Sequence, residues 1–191
     1  MSAKNLTHQE QEVLLKIARE AIAAVVKGFA LPEIDLNNYS ENLQQIGSAF
    51  VTLTKKGRLR GCIGGLEPRQ PLILDVQEHA AAAAVEDYRF QPVSSAEVSH
   101  LRIEISRLTP AVPLTYNSIP ELLTLLRPGI DGVIISDGKR RATFLPQVWE
   151  KIPDCEDFLT QLCQKMGAPG NLWKVRNLDV WTYQVEAFEE E

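Results

Sequence analysis

The residues best suited to chemistry sit in Leu59-Arg60-Gly61-Cys62-Ile63-Gly64-Gly65, which joins a thiol, nearby guanidinium groups and three glycines. Side chains alternate across a strand, so Arg58, Arg60 and Cys62 are expected on one face and Leu59, Gly61 and Ile63 on the other. Positive charge favours the thiolate, the form that attacks electrophiles, and can bring a cysteine from its usual ~8.5 into the range of roughly 3.5–7.5. Cys62 is therefore a candidate nucleophile and Arg60 a candidate anion stabiliser. Arg58, Gly61, Gly64 and Gly65 are candidate binding residues, the last two because their backbone N–H groups could approach an oxyanion. The competing reading makes Cys62 a small residue on a tightly packed strand, kept for size and shape.

Further along, Glu104 lies on the polar face of an alternating segment, where it could act as a general base, as the counter-ion of Arg60, or as part of a solvated strand face. Asp87 and Arg89, two residues apart beside Phe90 and Pro92, suit a structured loop that either binds an anion or pins the start of the next element. His79, in an alanine-rich helical segment, would activate the thiol only if it approached Cys62. No cysteine–histidine–acid triad is claimed. Cys155 and Cys163 lie near one helical face and read as packing, since two ligands are too few for a metal. Lys139, Arg140 and Arg141 follow a turn and read as an exposed hairpin tip where an acidic partner could dock. No cofactor or metal site is indicated.

The elements that position these residues follow from periodicity. Thr7 and Glu10 make a capping-box pattern ahead of Val13, Leu14, Ile17, Ala21, Ile22 and Val25 at helical spacing, with Gly28 as the stop. Ala49, Val51 and Leu53 alternate with Phe50, Thr52 and Thr54, and Lys55-Lys56-Gly57 turns the chain back into the cysteine segment. Pro68 and Pro71 introduce a helix through Val85 whose Ala80–Ala84 run permits close approach to a neighbour, with Gly61 the candidate. Ser94 and Glu97 suggest a short capped helix, and Leu101, Ile103 and Ile105 an alternating strand. Pro110 and Pro113 mark a connection suited to a lobe boundary. Beyond it come a capped helix from Ser118, a hairpin through Asp137-Gly138, a helix capped by Asp154 and a closing strand with Trp181, Tyr183 and Val185. Helices interleaved with hairpins favour α+β, with an antiparallel or mixed sheet and flanking helices, over a doubly wound nucleotide fold. The glycines around Cys62 match neither a Walker loop nor a dinucleotide fingerprint.

With 191 residues, 45% hydrophobic, the chain can bury a core as a single domain over 1–191, with division into a larger and a smaller lobe as an allowed arrangement. A formal charge of −5 lacks the basic field of nonspecific nucleic-acid binding, so a nucleic-acid partner is disfavoured. Three cysteines at spacings that form no disulfide framework fit a reducing cytoplasm, and no apolar run is long enough to span a bilayer. A soluble cytoplasmic protein is expected.

The ordered motifs resemble the AMMECR domain family, also called AmmeMemoRadiSam system protein A. The resemblance rests on Leu59-Arg60-Gly61-Cys62-Ile63-Gly64, the segment from Asp87 to Pro92, Glu104-Ile105-Ser106-Arg107-Leu108, Gly132-Val133-Ile134, and the segment from Ala142 to Val148. Gly65, where many relatives carry Thr or Ser, and Tyr88, where Pro is common, depart from the pattern. The resemblance implies an α+β protein with a larger and a smaller lobe around a cleft, and no settled reaction. It also implies association with a Memo-like protein, itself similar to extradiol-type dioxygenases, and with a radical S-adenosylmethionine enzyme. Metal and iron–sulfur chemistry would belong to those partners. Two expectations follow: an accessory component that binds a small molecule or a partner, and an enzyme that uses Cys62 as nucleophile.

Overall fold

The computed structural model describes residues 5–190, and the chain divides into two compact units, Met1–Leu108 with Glu186–Glu191 and Thr109–Val185. The first begins with helix α1 (His8–Val25). The Thr7 hydroxyl accepts the Glu10 N–H while the Glu10 carboxylate accepts the Thr7 N–H, the reciprocal cap expected from the pattern. Its buried stripe of Leu14, Ile17, Ala18, Ala21 and Ile22 faces the core.

After the short helix α2 (Glu41–Gln44), strand β1 (Ile46–Lys55) turns into β2 (Arg58–Gly64) through Lys56 and Gly57. Both turn residues take positive φ, 52° and 74°, as a tight two-residue hairpin requires. A two-residue strand β3 (Gln70–Pro71) leads into helix α3 (Leu72–Val85), and β4 (Leu101–Leu108) follows. β1 lies between β2 and β4, antiparallel to each, with β3 alongside its first residues. Helices α1 and α3 pack on each other and on the sheet, closing a core that includes Val51, Leu53, Ile103, Ile105 and Val76.

The second unit is built from β5 (Val112–Pro113), α4 (Ile119–Leu125), β6 (Gly132–Ser136), β7 (Arg141–Phe144), α5 (Cys155–Lys165), α6 (Leu172–Val175) and β8 (Asp179–Tyr183), its sheet ordered β5-β8-β6-β7. Its core centres on Trp149 stacked on Phe158 at 3.6 Å. Last, β9 (Val185–Glu189) returns alongside β4 in the first unit. Both sheets are antiparallel, so the α+β expectation holds.

Two local expectations fail for identifiable reasons. Strand pairing runs Leu53 to Gly61 and then Thr54 to Leu59, so Arg60 has no residue opposite it and forms a β-bulge. The bulge shifts the alternation: Leu59 joins Cys62 on the face of Thr52 and Thr54, while Arg58, opposite Lys55, falls on the other face. The expected shared face of Arg58, Arg60 and Cys62 does not form, and Leu59 is exposed rather than core. The short helix expected from Ser94 and Glu97 is instead a turn leading to a 3-10 segment (Val98–His100), its Glu97 carboxylate accepting the Ser94 N–H at 3.0 Å.

The alanine run does approach Gly61. A Cβ added there would lie 2.1 Å from the Ala83 carbonyl oxygen, so helix and strand touch backbone to backbone. Gly61→Ala is therefore expected to cost about 3 kcal/mol, the upper end for an overpacked core. Urea unfolding measures it, and a loss below ~0.5 kcal/mol would mean α3 can shift away without penalty.

Candidate functional site

β2 is an edge strand, and its outward backbone groups need partners. At Cys62 they come from the segment after α3. The Asp87 carboxylate accepts the Cys62 N–H at 2.9 Å, and the Arg89 guanidinium donates to the Cys62 carbonyl at 3.2 Å. Arg89 also grips Asp87 through Nε (2.9 Å) and Nη2 (2.7 Å), so an ion pair replaces the missing neighbouring strand. Asp87 is buried, its side chain 3% exposed, and its hydrogen bonds from Arg89, with further ones from the N–H groups of Cys62 and Arg89, hold its carboxyl well below the usual range.

Arg60 is likewise engaged. Its side chain, 16% exposed, bonds Glu97 through Nε and Nη2 at 3.2 Å each and donates to the carbonyls of Gln91 (2.8 Å) and Pro92 (3.3 Å). Lys55 joins the same carboxylate at 2.8 Å, and Arg60 and Lys55 together hold Glu97 well below its ordinary value. The counter-ion of Arg60 is thus Glu97, not Glu104. Of the two cations expected to bias the thiol, Arg60 is matched by a carboxylate and Arg58 lies exposed at the hairpin end.

The thiol itself is half-buried and accepts a hydrogen bond from the Thr52 hydroxyl at 3.3 Å. Thr52 pairs with Cys62 on one side and with Glu104 on the other, so Cys62, Thr52 and Glu104 form a row across three strands. The Glu104 carboxylate accepts the Ser106 hydroxyl at 3.4 Å and has no hydrogen bond to the thiol among the described residues. Gly64 takes its place for packing: a Cβ there would lie 2.4 Å from the Phe50 ring. His79 binds Asp75 at 3.0 Å and has no hydrogen bond to Cys62 among the described residues.

Of the residues expected at the site, the structure brings Cys62, Asp87 and Arg89 together, while the contacts of Thr52, Glu97 and Asp75 were not expected from the sequence. The Ser94/Glu97 spacing signalled a cap; its use as an arginine anchor depends on the bulge. In the second unit Arg140 pairs with Asp137 at 2.6 Å and Arg141 stacks over Trp181 at 5.6 Å, so two of the three tip cations are built into the unit. Among the described residues no three His, Cys, Asp or Glu side chains gather as metal ligands, and no helix is long and apolar enough to cross a membrane.

The model of the AMMECR1 family matches residues 15–188. The chain belongs to the AMMECR1 family. It is 38% identical to a protein of Methanothermobacter thermautotrophicus over 97% of both chains, and 34% identical to one of Methanocaldococcus jannaschii over 97% of this chain and 92% of that one. The crystal structure of an uncharacterised protein from Pyrococcus horikoshii has the same fold, with a TM-score of 0.76 and 34% identity over 94% of this chain and 91% of that one. These AMMECR1 relatives bring no assigned activity, so the chemistry must be argued from the site.

Two measurements follow from this geometry. Pulse alkylation with peptide mapping should label Cys62 before Cys163, which is buried, and before Cys155, whose thiol is pushed up by burial and by Asp154. Equal or faster labelling of either would show that Cys62 is shielded. Asp87→Asn should cost about 1–3 kcal/mol at neutral pH by losing the charged pair with Arg89. Because the folded carboxyl lies below its unfolded value near ~3.9, its contribution is present above that pH and fades as pH falls below it. Urea titrations at several pH values should show the two proteins converging in acid, and a constant gap would assign the loss to packing.

Proposed function

We propose that this AMMECR1-family chain is a binding component, engaging a small molecule or a partner protein through the sheet face that carries Cys62, Thr52 and Glu104. In this reading it acts in the cytoplasm beside a Memo-like protein and a radical S-adenosylmethionine enzyme, which supply the chemistry. One observation carries the reading: Arg60 and Arg89 are both taken up by carboxylates and backbone carbonyls, Arg89 holding the Cys62 backbone and Arg60 the segment from Gln91 to Glu97, so both charges serve internal structure. A rigid, half-buried polar row is suited to recognition. Cys62 then contributes size, shape and a sulfur that accepts the Thr52 hydroxyl.

A second reading makes Cys62 a nucleophile on a small electrophilic substrate, with Glu104 as base. Its support is the row itself, which puts an acid and a hydroxyl on the thiol's face of the sheet. Reconstitution with the Memo-like and radical S-adenosylmethionine proteins separates the two, with complex formation and substrate consumption followed for wild type and Cys62→Ser. Serine keeps the volume and replaces the thiol by a far less acidic hydroxyl. The binding reading expects retained assembly and turnover within roughly twofold of wild type. Retained assembly with turnover reduced on the order of 10³-fold would replace it with the nucleophile.

A further inference from the structure

The sheet has a gap where β2 has ended and β3 has not begun. β1 pairs with β2 from Phe50 onward and with β3 up to Gly47, which leaves Ser48 and Ala49 between them. Side chains fill the gap. The Ser48 hydroxyl donates to the Gly65 carbonyl at 2.6 Å, and the buried Asp75 carboxylate accepts the Ala49 N–H at 2.8 Å. The same Asp75 oxygen lies 3.0 Å from His79 Nδ1, one helical turn along α3. An oxygen already accepting from Ala49 leaves the imidazole to supply the proton, so Nδ1 carries the hydrogen and Nε2 is the ring's outward-facing nitrogen. A carboxylate that fixes one imidazole nitrogen so that the other meets a ligand is a recurrent arrangement.

Gly65 stands in front of that ring. Its φ is not in the left-handed region, and a Cβ there would meet only ordinary contacts: Ser48 Oγ at 3.4 Å, His79 Cε1 at 3.5 Å and Nε2 at 3.8 Å. Unlike Gly61 and Gly64, it is required by neither backbone nor packing. What a side chain at 65 would do is cover the imidazole, which is 18% exposed and whose Nε2 has no hydrogen-bond partner among the described residues.

We propose that His79 in its imidazolium form, with Nδ1–H held by Asp75 and Nε2–H approached across Gly65, donates from Nε2 to an anionic oxygen of a small molecule, a carboxylate or a phosphate. The hydrogen bond to Asp75 raises the imidazole's pKa against the opposing effect of burial, so the donor form persists to higher pH. The charged groups near the ring are Asp75, whose oxygen is used by Ala49 and Nδ1, and Glu78, whose carboxylate accepts from Gln70 at 2.6 Å. This site is independent of whether Cys62 binds or reacts.

Histidine ring resonances, assigned with His79→Gln, should be followed by NMR at constant pH and ionic strength during separate titrations with sodium phosphate and sodium acetate. A saturable shift of His79 with either anion, absent at His8 and His100, is expected, and the anion that saturates identifies the ligand class. Gly65→Ser, which places a hydroxyl against Nε2, should weaken that binding by about tenfold or more. Gly65→Ala, adding only bulk at a contact distance the fold accepts, should weaken it less and serves if the serine variant does not fold. A His79 response to both anions that is unsaturable or no larger than that of His8 and His100 would overturn the proposal. So would unchanged affinity in the folded Gly65 variants.

Discussion

Two carboxylates at opposite ends of one helix hold the first unit's sheet edge together. Asp75, in the first turn of α3, and Asp87, just beyond its last residue, each accept a backbone N–H that would otherwise face outward without a strand: Ala49 in β1 and Cys62 in β2. An unsatisfied buried N–H costs on the order of 1–3 kcal/mol, so the helix cannot slide along the sheet without losing both bonds. With α3 anchored at each end, its last turn lies close enough for the Ala83 carbonyl to touch Gly61. The motif's central glycine is thus a consequence of where the helix is tethered.

Each anchor is completed by a nearby side chain: the His79 imidazole for Asp75, the Arg89 guanidinium for Asp87. A third pairing, Arg60 and Lys55 on Glu97, ties the hairpin to the turn before β4. Partly buried charges that stay matched in this way resist rearrangement, because removing one member leaves the other desolvated and alone. Arg60 in the motif therefore serves an internal framework of ion pairs. The Cys62 thiol and the far nitrogen of His79 stand outside those ion pairs.

Much of the architecture was legible in the residues. The Lys56-Gly57 turn, the Thr7/Glu10 cap, the Asp154 cap of α5 and the alanine run facing Gly61 each follow from local rules that tertiary context did not overturn. The face of Arg60 was not legible, since alternation presumes an unbroken ladder and the bulge breaks it. Glu97 as the partner of Arg60 was hidden for the same reason. Asp75 and His79 are a visible i, i+4 pair on a helix. Their attachment to Ala49 depends on where β2 stops and β3 starts, a matter of strand register that no single segment encodes.

The bulge also makes the distance along the chain from hairpin turn to thiol a specified quantity. Because Arg60 has no residue opposite it, the segment from Gly57 to Cys62 contains one residue more than a regular ladder would hold. Losing that residue would let β2 close up against β1 as an ordinary strand, with Cys62 still opposite Thr52, Leu59 opposite Thr54 and Arg58 opposite Lys55, yet of its two cations Glu97 would keep only Lys55 and the carbonyls of Gln91 and Pro92 would lose their guanidinium. Length here carries information that pairing does not: a chain with one residue fewer before Gly61 would keep its cysteine and its ladder and lose the bidentate clamp of Arg60, leaving Lys55 alone to join the hairpin to the turn before β4.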